Sequence, residues 1–317
     1  MMALPVIIDC DPGIDDAIAL LTAFVSPELD ILGITTVCGN QPLAVTQRNA
    51  LQITALGGRD DITVYAGCWR PLLRPSIHGQ FHGNNGLGGL ALPAPRREVS
   101  AVHAVDFIIA SCRRALEQSR PLTLCCLGPL TNLAVALRID PTIAEGIERV
   151  VLMGGAFRDN GNRTFSAEFN MLADPHAAHC VFSQQFAITV LPLDATHQVI
   201  LTPEHVGQFT RCAGRLAQPL GQLMAFWDRN DVARYGSRGG PLHDPLVIAW
   251  LLDKALFTSQ QARVFVEYDS PQLLGHTQAD WYGKSGLPAN ASVVTEVNAS
   301  GVFDLMLTRI ARYGEQP

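Results

Sequence analysis

The chain of 317 residues is 48 % hydrophobic and carries a formal charge of −6. That length and apolar content suffice for one large core, so a single domain over 1–317 is expected. The acidic balance, with no stripe of basic side chains and lysine only at Lys254 and Lys284, argues against a nucleic-acid surface.

No basic segment leads into the first apolar run, and no run approaches the roughly 18 residues of a membrane span, so neither a signal peptide nor an anchor is expected. The eight cysteines, Cys10, Cys38, Cys68, Cys112, Cys125, Cys126, Cys180 and Cys212, form no CxxC pair and mostly fall in apolar segments. Core thiols of a reducing, cytoplasmic protein are the simplest reading.

In chain order, residues 6–8 are continuous and β-branched, the pattern of a strand buried on both faces, which Pro12 and Gly13 break. The apolar-periodic stretch 17–24 then reads as a helix. A strand over 29–37, a helix near 42–56 and a short strand over 63–66 precede a long Gly/Pro-rich stretch over 67–95. A helix near 101–118, a strand over 122–127, a helix from 130 and a strand over 149–153 come next. A loop runs to Asn170, followed by a helix over 174–182 and a strand over 188–193. Residues 202–250 read as mainly helical, 263–268 and 292–298 as late strands, and the chain closes in a helix. Such alternation predicts an α/β fold, a largely parallel, doubly wound (Rossmann-like) sheet flanked by helices, with extra carboxy-terminal helices and strands.

The stretch VIIDCDPGIDDAIA over 6–19 places four carboxylates, Asp9, Asp11, Asp15 and Asp16, at a strand end and in the first turn of a helix. Unpaired N–H groups and the helix dipole favour acids there, so capping is one reading. Carboxylates this close also repel one another, and a hard divalent ion such as Ca²⁺ or Mg²⁺, bound through oxygen, relieves that repulsion.

Open α/β sheets bind ligands outside the carboxyl ends of their strands. Asn40 follows the second strand, Leu127 ends another ahead of Gly128 and Pro129, and Met153 precedes Gly154 and Gly155. Taken alone, Asn40 is a turn residue or a partner for a hydroxyl, and the Leu127 carbonyl is ordinary loop backbone or a cation ligand. Glu168 and Asn170, two apart, point the same way if locally extended, whereas an isolated loop acid is also compatible with plain solvation. His243 and Asp244 lead into a helix over 246–252, where an N-cap beside a surface histidine is the plain alternative.

The string DCDPGIDDAIAL is similar to the amino-terminal signature of the nucleoside hydrolases, among them the inosine-uridine preferring and pyrimidine-type ribonucleoside hydrolases. GNRTFSAEFN over 161–170 resembles their ribose-binding loop, and HGNNGL over 82–87 a loop that carries an imidazole over the base. His78, Gly79 and Gln80 stand where some relatives have Ala-Asp-Asn. These motifs span Asp9 to Asp244. The resemblance implies calcium-dependent cleavage of ribonucleosides to ribose and free base, in nucleoside salvage or catabolism, by an enzyme that is commonly a homotetramer.

Residue by residue, the resemblance implies that Asp11, Asp16, Asp244 and the Leu127 carbonyl hold Ca²⁺, with Asp11 also taking a proton from water. Asp15 binds the 2′-hydroxyl, and Asn40, Asn162, Glu168 and Asn170 hold the remaining hydroxyls, with Met153 packing nearby. His243, with His82, assists the departing base. A supporting role for Asp194 in holding the metal ligands is expected, the other histidines are read as structural, and Trp227, Asp231, Arg234 and Tyr235 fall in the segment that would cover the base, where helix surface or packing is an equal reading. Two rivals remain: a non-catalytic nucleoside-binding protein, and a DxD-type phosphohydrolase. The second requires Thr or Val where Gly13 stands and a lysine where none precedes Lys254.

Overall fold

Residues Leu4–Cys10 form β1, because their side chains serve two cores at once: Val6, Ile8 and Cys10 join one apolar cluster and Ile7 the other. The computed structural model describes residues 3–79, 81–235 and 239–315, with no side chain described over 227–235. After the break at Pro12, Ile14–Phe24 forms α1, buried at every residue. A helix apolar on nearly all sides is stable only inside the protein. Its neighbours include the helices at Leu43–Gly57 (α2) and, far along the chain, Pro245–Leu252.

Leu29–Thr36 (β2), α2 and Val64–Ala66 (β3) complete the first half-unit. Ala104–Glu117 (α3), Leu122–Cys126 (β4), Thr131–Ile139 (α4) and Ile147–Met153 (β5) begin the second. Phe169–Ala173 (α5), Pro175–Phe182 (α6) and Ala187–Leu191 (β6) continue it. Beyond come Leu193–Thr196 (α7), Ile200–Leu201 (β7), Pro203–Cys212 (α8), Ala217–Tyr235 (α9), Gly240–Pro241 (β8) and Pro245–Leu252 (α10). Phe257–Val266 (β9), Thr277–Asp280 (β10), Ala291–Val297 (β11) and Ala299–Glu315 (α11) close the chain.

Among the described residues nine strands make one sheet in the order β10-β9-β11-β6-β5-β4-β1-β2-β3. Strands β3 to β11 across that order pair in parallel, while β9 and β10 are antiparallel. The fold is therefore the doubly wound α/β sheet expected from the sequence. The chain moves outward from β1 to β3, then returns to lay β4, β5 and β6 on the other side of β1. Reversal of this kind opens a crevice at the carboxyl ends of β1 and β4. The stretch between β3 and α3 carries His82 to that rim.

Three local departures stand out, two of them with a plain physical cause. The strand expected over 188–193 stops at Leu191 because Pro192, which has no N–H to donate, caps α7. Strand β9 begins at Phe257, ahead of the apolar signal, since its first half is exposed and polar. The short antiparallel pair β7–β8 and the strand β10 lie where no strand is expected from the sequence. Among the described residues no helix is long and apolar enough to cross a membrane, and all eight cysteines are free.

Candidate active site

Asp16, in the first turn of α1, accepts the backbone N–H groups of Gly13 at 2.9 Å and Asp11 at 3.2 Å. It thus caps its own helix while turning toward the acids across the crevice. Carboxylate oxygens of Asp15, Asp16 and Asp244 lie within 4.8 Å of one another, all buried. Asp244 occupies the N-cap position of α10 but makes no side-chain capping bond. The plain capping reading therefore describes Asp16 and not Asp244.

Asp11 follows β1 directly and is held between two glycines: a Cβ on Gly39 would stand 2.0 Å from its Oδ2, and one on Gly128 2.4 Å from its Oδ1. Its Oδ2 accepts the Asn40 backbone N–H at 2.6 Å. Asp11 Oδ1 and Asp15 Oδ1 are buried without a hydrogen-bond partner among the described residues. Burial, reinforced by the neighbouring Asp16 charge, holds Asp11 well above the ordinary carboxylate range. Asp244 is displaced the same way by burial and then by the charges of Asp15, Asp16 and Asp11. Burial pushes Asp15 and Asp16 up to about 6.

Asp9, counted with these acids on the sequence, is spent elsewhere. Its Oδ1 accepts Thr35 Oγ1 at 2.5 Å and Asn132 Nδ2 at 2.7 Å, and Asn132 also ties Thr36 O and the Cys68 N–H. The mutual repulsion thus involves Asp244 in place of Asp9.

Amides and backbone build the second wall. Asn40 Nδ2 donates to Asp11 O at 3.3 Å and Asp16 Oδ2 at 3.4 Å. Asn170 Nδ2 donates to the Leu127 carbonyl at 2.7 Å and the Met153 carbonyl at 3.1 Å, which gathers three of the expected residues at one point. A carbonyl has two lone pairs, so Leu127 keeps one. Glu168 caps α5, accepting N–H groups from Asn170 at 2.8 Å, Met171 at 3.2 Å and Gly155 at 3.1 Å. Burial raises its pKa to about 7 against those bonds. Asn162 Oδ1 accepts the Phe169 N–H at 2.9 Å, bracing the same loop.

Two imidazoles close the rim. His82 Nδ1 accepts the Ile14 N–H at 3.1 Å and lies 3.9 Å from Asp15 Oδ1. Burial lowers its pKa to about 4, so the ring is neutral near pH 7 and, with Nδ1 accepting, carries its proton on Nε2. His243 Nδ1 shares a hydrogen bond with Thr196 Oγ1 at 2.9 Å, and its ring stands 6.2 Å from that of His197. His78 Nδ1 meets Gly39 O at 3.0 Å, beside Asn40, and Gln80 lies outside the described residues.

Asp194 does not reach the acids. It accepts the N–H groups of Phe157, Arg158 and Asp159, because α7 turns it onto the start of the 154–168 loop. Among the histidines read as structural, His103 caps α3, and His205 completes the capping box of α8 by accepting the N–H of its N-cap, Thr202. Trp227, Asp231, Arg234 and Tyr235 lie outside the described side chains. Sequence reasoning missed Thr196 and Asn49, whose Nδ2 donates to Pro12 O and Asn85 O. A polar residue on a face buried against the sheet was the available signal.

The donor set is all oxygen, crowded and partly unpaired, which suits a hard divalent ion better than a soft one. With amides and imidazoles around it, the crevice is that of an α/β enzyme handling a small polar molecule beside a cation. Residues 6–304 match the family described as inosine-uridine preferring nucleoside hydrolase. The chain is 42 % identical to the pyrimidine-specific ribonucleoside hydrolase RihA of Shewanella sp. (strain ANA-3), over 98 % of either sequence. Its fold matches the purine-preferring ribonucleoside hydrolase from Gardnerella vaginalis with a TM-score of 0.90 at 31 % identity, covering 98 % of this chain and 99 % of the other. A plant nucleoside hydrolase matches at 0.89 and 32 %, covering 97 % and 99 %. The chain belongs to the nucleoside hydrolase family, metal-dependent enzymes that hydrolyse the N-glycosyl bond of ribonucleosides.

Proposed function

We propose that this enzyme is a calcium-dependent ribonucleoside hydrolase acting as a single domain over 1–317, in which Asp11, Asp16, Asp244 and the Leu127 carbonyl hold the ion. The observation that carries the reading is the buried group Asp15, Asp16 and Asp244 beside Asp11, with one oxygen each on Asp11 and Asp15 lacking a hydrogen-bond partner among the described residues. When bound, Ca²⁺ supplies positive charge that offsets the repulsion among these acids and makes a nearby water more acidic.

The remaining work falls to the chain. Asp11 accepts the proton of the attacking water, and its fixed place between Gly39 and Gly128 orients that transfer. Asp15 accepts the 2′-hydroxyl, and Asn40, Asn162, Glu168 and Asn170 hold the other hydroxyls, with Met153 packing beside the sugar. As the C1′–N bond breaks, its electron pair moves to the base while the water oxygen bonds C1′, and the ribosyl centre passes through oxocarbenium character. His243 donates the proton that the departing base needs. His82, protonated on Nε2, offers it a second hydrogen bond.

We further propose a homotetrameric enzyme of nucleoside salvage or catabolism, on the strength of the family resemblance, and a cytoplasmic one, on its eight free thiols. Reducing-sugar release from inosine, adenosine, cytidine, uridine and 2′-deoxyinosine, with and without a chelator, tests the activity. Turnover of ribonucleosides that stops on chelation and returns with Ca²⁺ supports it. Ribose limited to one equivalent per protein, or activity indifferent to chelation, overturns it.

A further inference from the structure

Asn49 lies on the face of α2 that packs against the acid turn, buried, and spends both N–H bonds of its carboxamide there. One goes to the Pro12 carbonyl at 3.0 Å and the other to the Asn85 carbonyl at 2.9 Å. Pro12 belongs to the turn between Asp11 and Asp15. Asn85 organises the loop that carries His82: its Oδ1 accepts the N–H groups of Leu87 and Gly89 at 3.0 and 2.9 Å, and its Nδ2 donates to Leu90 O at 2.9 Å.

The approach leaves no room for a side chain. Gly86, at φ +78°, would place a Cβ 2.7 Å from Asn49 Nδ2. Gln41 Nε2 adds a second tie from just ahead of α2, to Gly83 O at 3.0 Å, and Gly88 lies against the Phe226 ring. One carboxamide thus joins the turn bearing the acids to the loop bearing the imidazole, and His82 closes the circuit through the Ile14 N–H.

We propose that Asn49 is a positioning residue that clamps the His82 loop onto the acid turn, so that Nε2 of His82 meets the base as it leaves. This rests on the reading of His82 given above. A carboxamide suits the task because it donates two hydrogen bonds in one plane, about 120° apart, here to the buried Pro12 carbonyl and the part-buried Asn85 carbonyl.

The test compares ribonucleosides with p-nitrophenyl β-riboside, whose leaving group departs without help. Asn49→Ala should lower kcat/KM for uridine and inosine by at least about 10-fold while the activated substrate changes by less than about threefold, and should add little in a His82→Ala background. A purely structural Asn49 would lower both substrates alike and would act equally in either background, and that result overturns the proposal. If Asn49→Ala does not fold, Gln41→Ala, which loosens the same loop from a less buried position, carries the same comparison with the same criteria. The parent protein releasing no ribose, or His82→Ala leaving the substrate ratio unchanged, refutes the underlying reading. A shifted ratio in His82→Ala with none in the Asn49 or Gln41 variant refutes the clamp alone.

Discussion

Gly128→Ala isolates the placement of Asp11 from its chemistry. Gly128 lies outside the left-handed region, so its backbone accepts alanine. The added Cβ, however, would stand 2.4 Å from Asp11 Oδ1, 2.8 Å from Asp11 Cγ and 3.2 Å from Val37 Cγ1. Non-bonded heavy atoms settle at about 3.5 Å or more, so the carboxylate must retreat by about 1 Å. A displacement of that size at a reacting group costs about 10²-fold in rate, or about 2.7 kcal/mol of transition-state stabilisation. Steady-state kinetics on uridine or inosine should therefore show kcat reduced about 100-fold, with metal affinity weakened because the same carboxylate serves both tasks. Thermal unfolding separates this from loss of fold. A folded variant within about threefold of the parent in both kcat and metal affinity would refute the reasoning, since Asp11 could then perform its role from elsewhere.

His243→Ala should slow ribonucleosides by about 10²–10⁴-fold while leaving p-nitrophenyl β-riboside nearly unaffected, and equal losses on both would remove its role as the acid. In 2′-deoxyinosine the missing hydroxyl leaves Asp15 without its partner, so relative kcat/KM should fall by about 10⁴-fold or more; parity with inosine would contradict that assignment. Chelated protein should have an inverted acid response. Burial raises Asp15 and Asp16 to about 6, so between the unfolded carboxylate pKa, about 4, and pH 6 the folded form binds more protons. That stabilisation is present below the unfolded value and lost as pH rises through about 6. Melting temperatures of the stripped protein should therefore rise from pH 7 to pH 5 relative to the Ca²⁺-loaded form, whose ligands must be deprotonated. A parallel response in the two forms would count against a metal site at these acids.

What could be read from the sequence depended on how far apart the cooperating residues lie along it. The acids of 9–16 share one strand exit and one helical turn, so covalent geometry brings Asp11 and Asp16 together before any tertiary contact forms. The two-sided burial of β1 is equally local, written in consecutive branched residues. Asp244 is different: it joins Asp15 and Asp16 only because α10 packs on α1, and no periodicity within 239–252 says so. The family resemblance supplied that partner where spacing could not. Asn49 and Thr196 carried no such mark. Each is a small polar residue in a helix, and its significance comes from an atom 37 or 47 positions away. Asp9 was misjudged for the converse reason, since nearness in sequence to Asp11 hid that Asp9 still lies within β1 while Asp11 follows its end, and two polar groups from β2 and α4 were waiting beside it. The residues proposed to touch substrate are therefore the more legible class here, because they crowd at strand exits, whereas those that hold them in place are set by packing between distant segments.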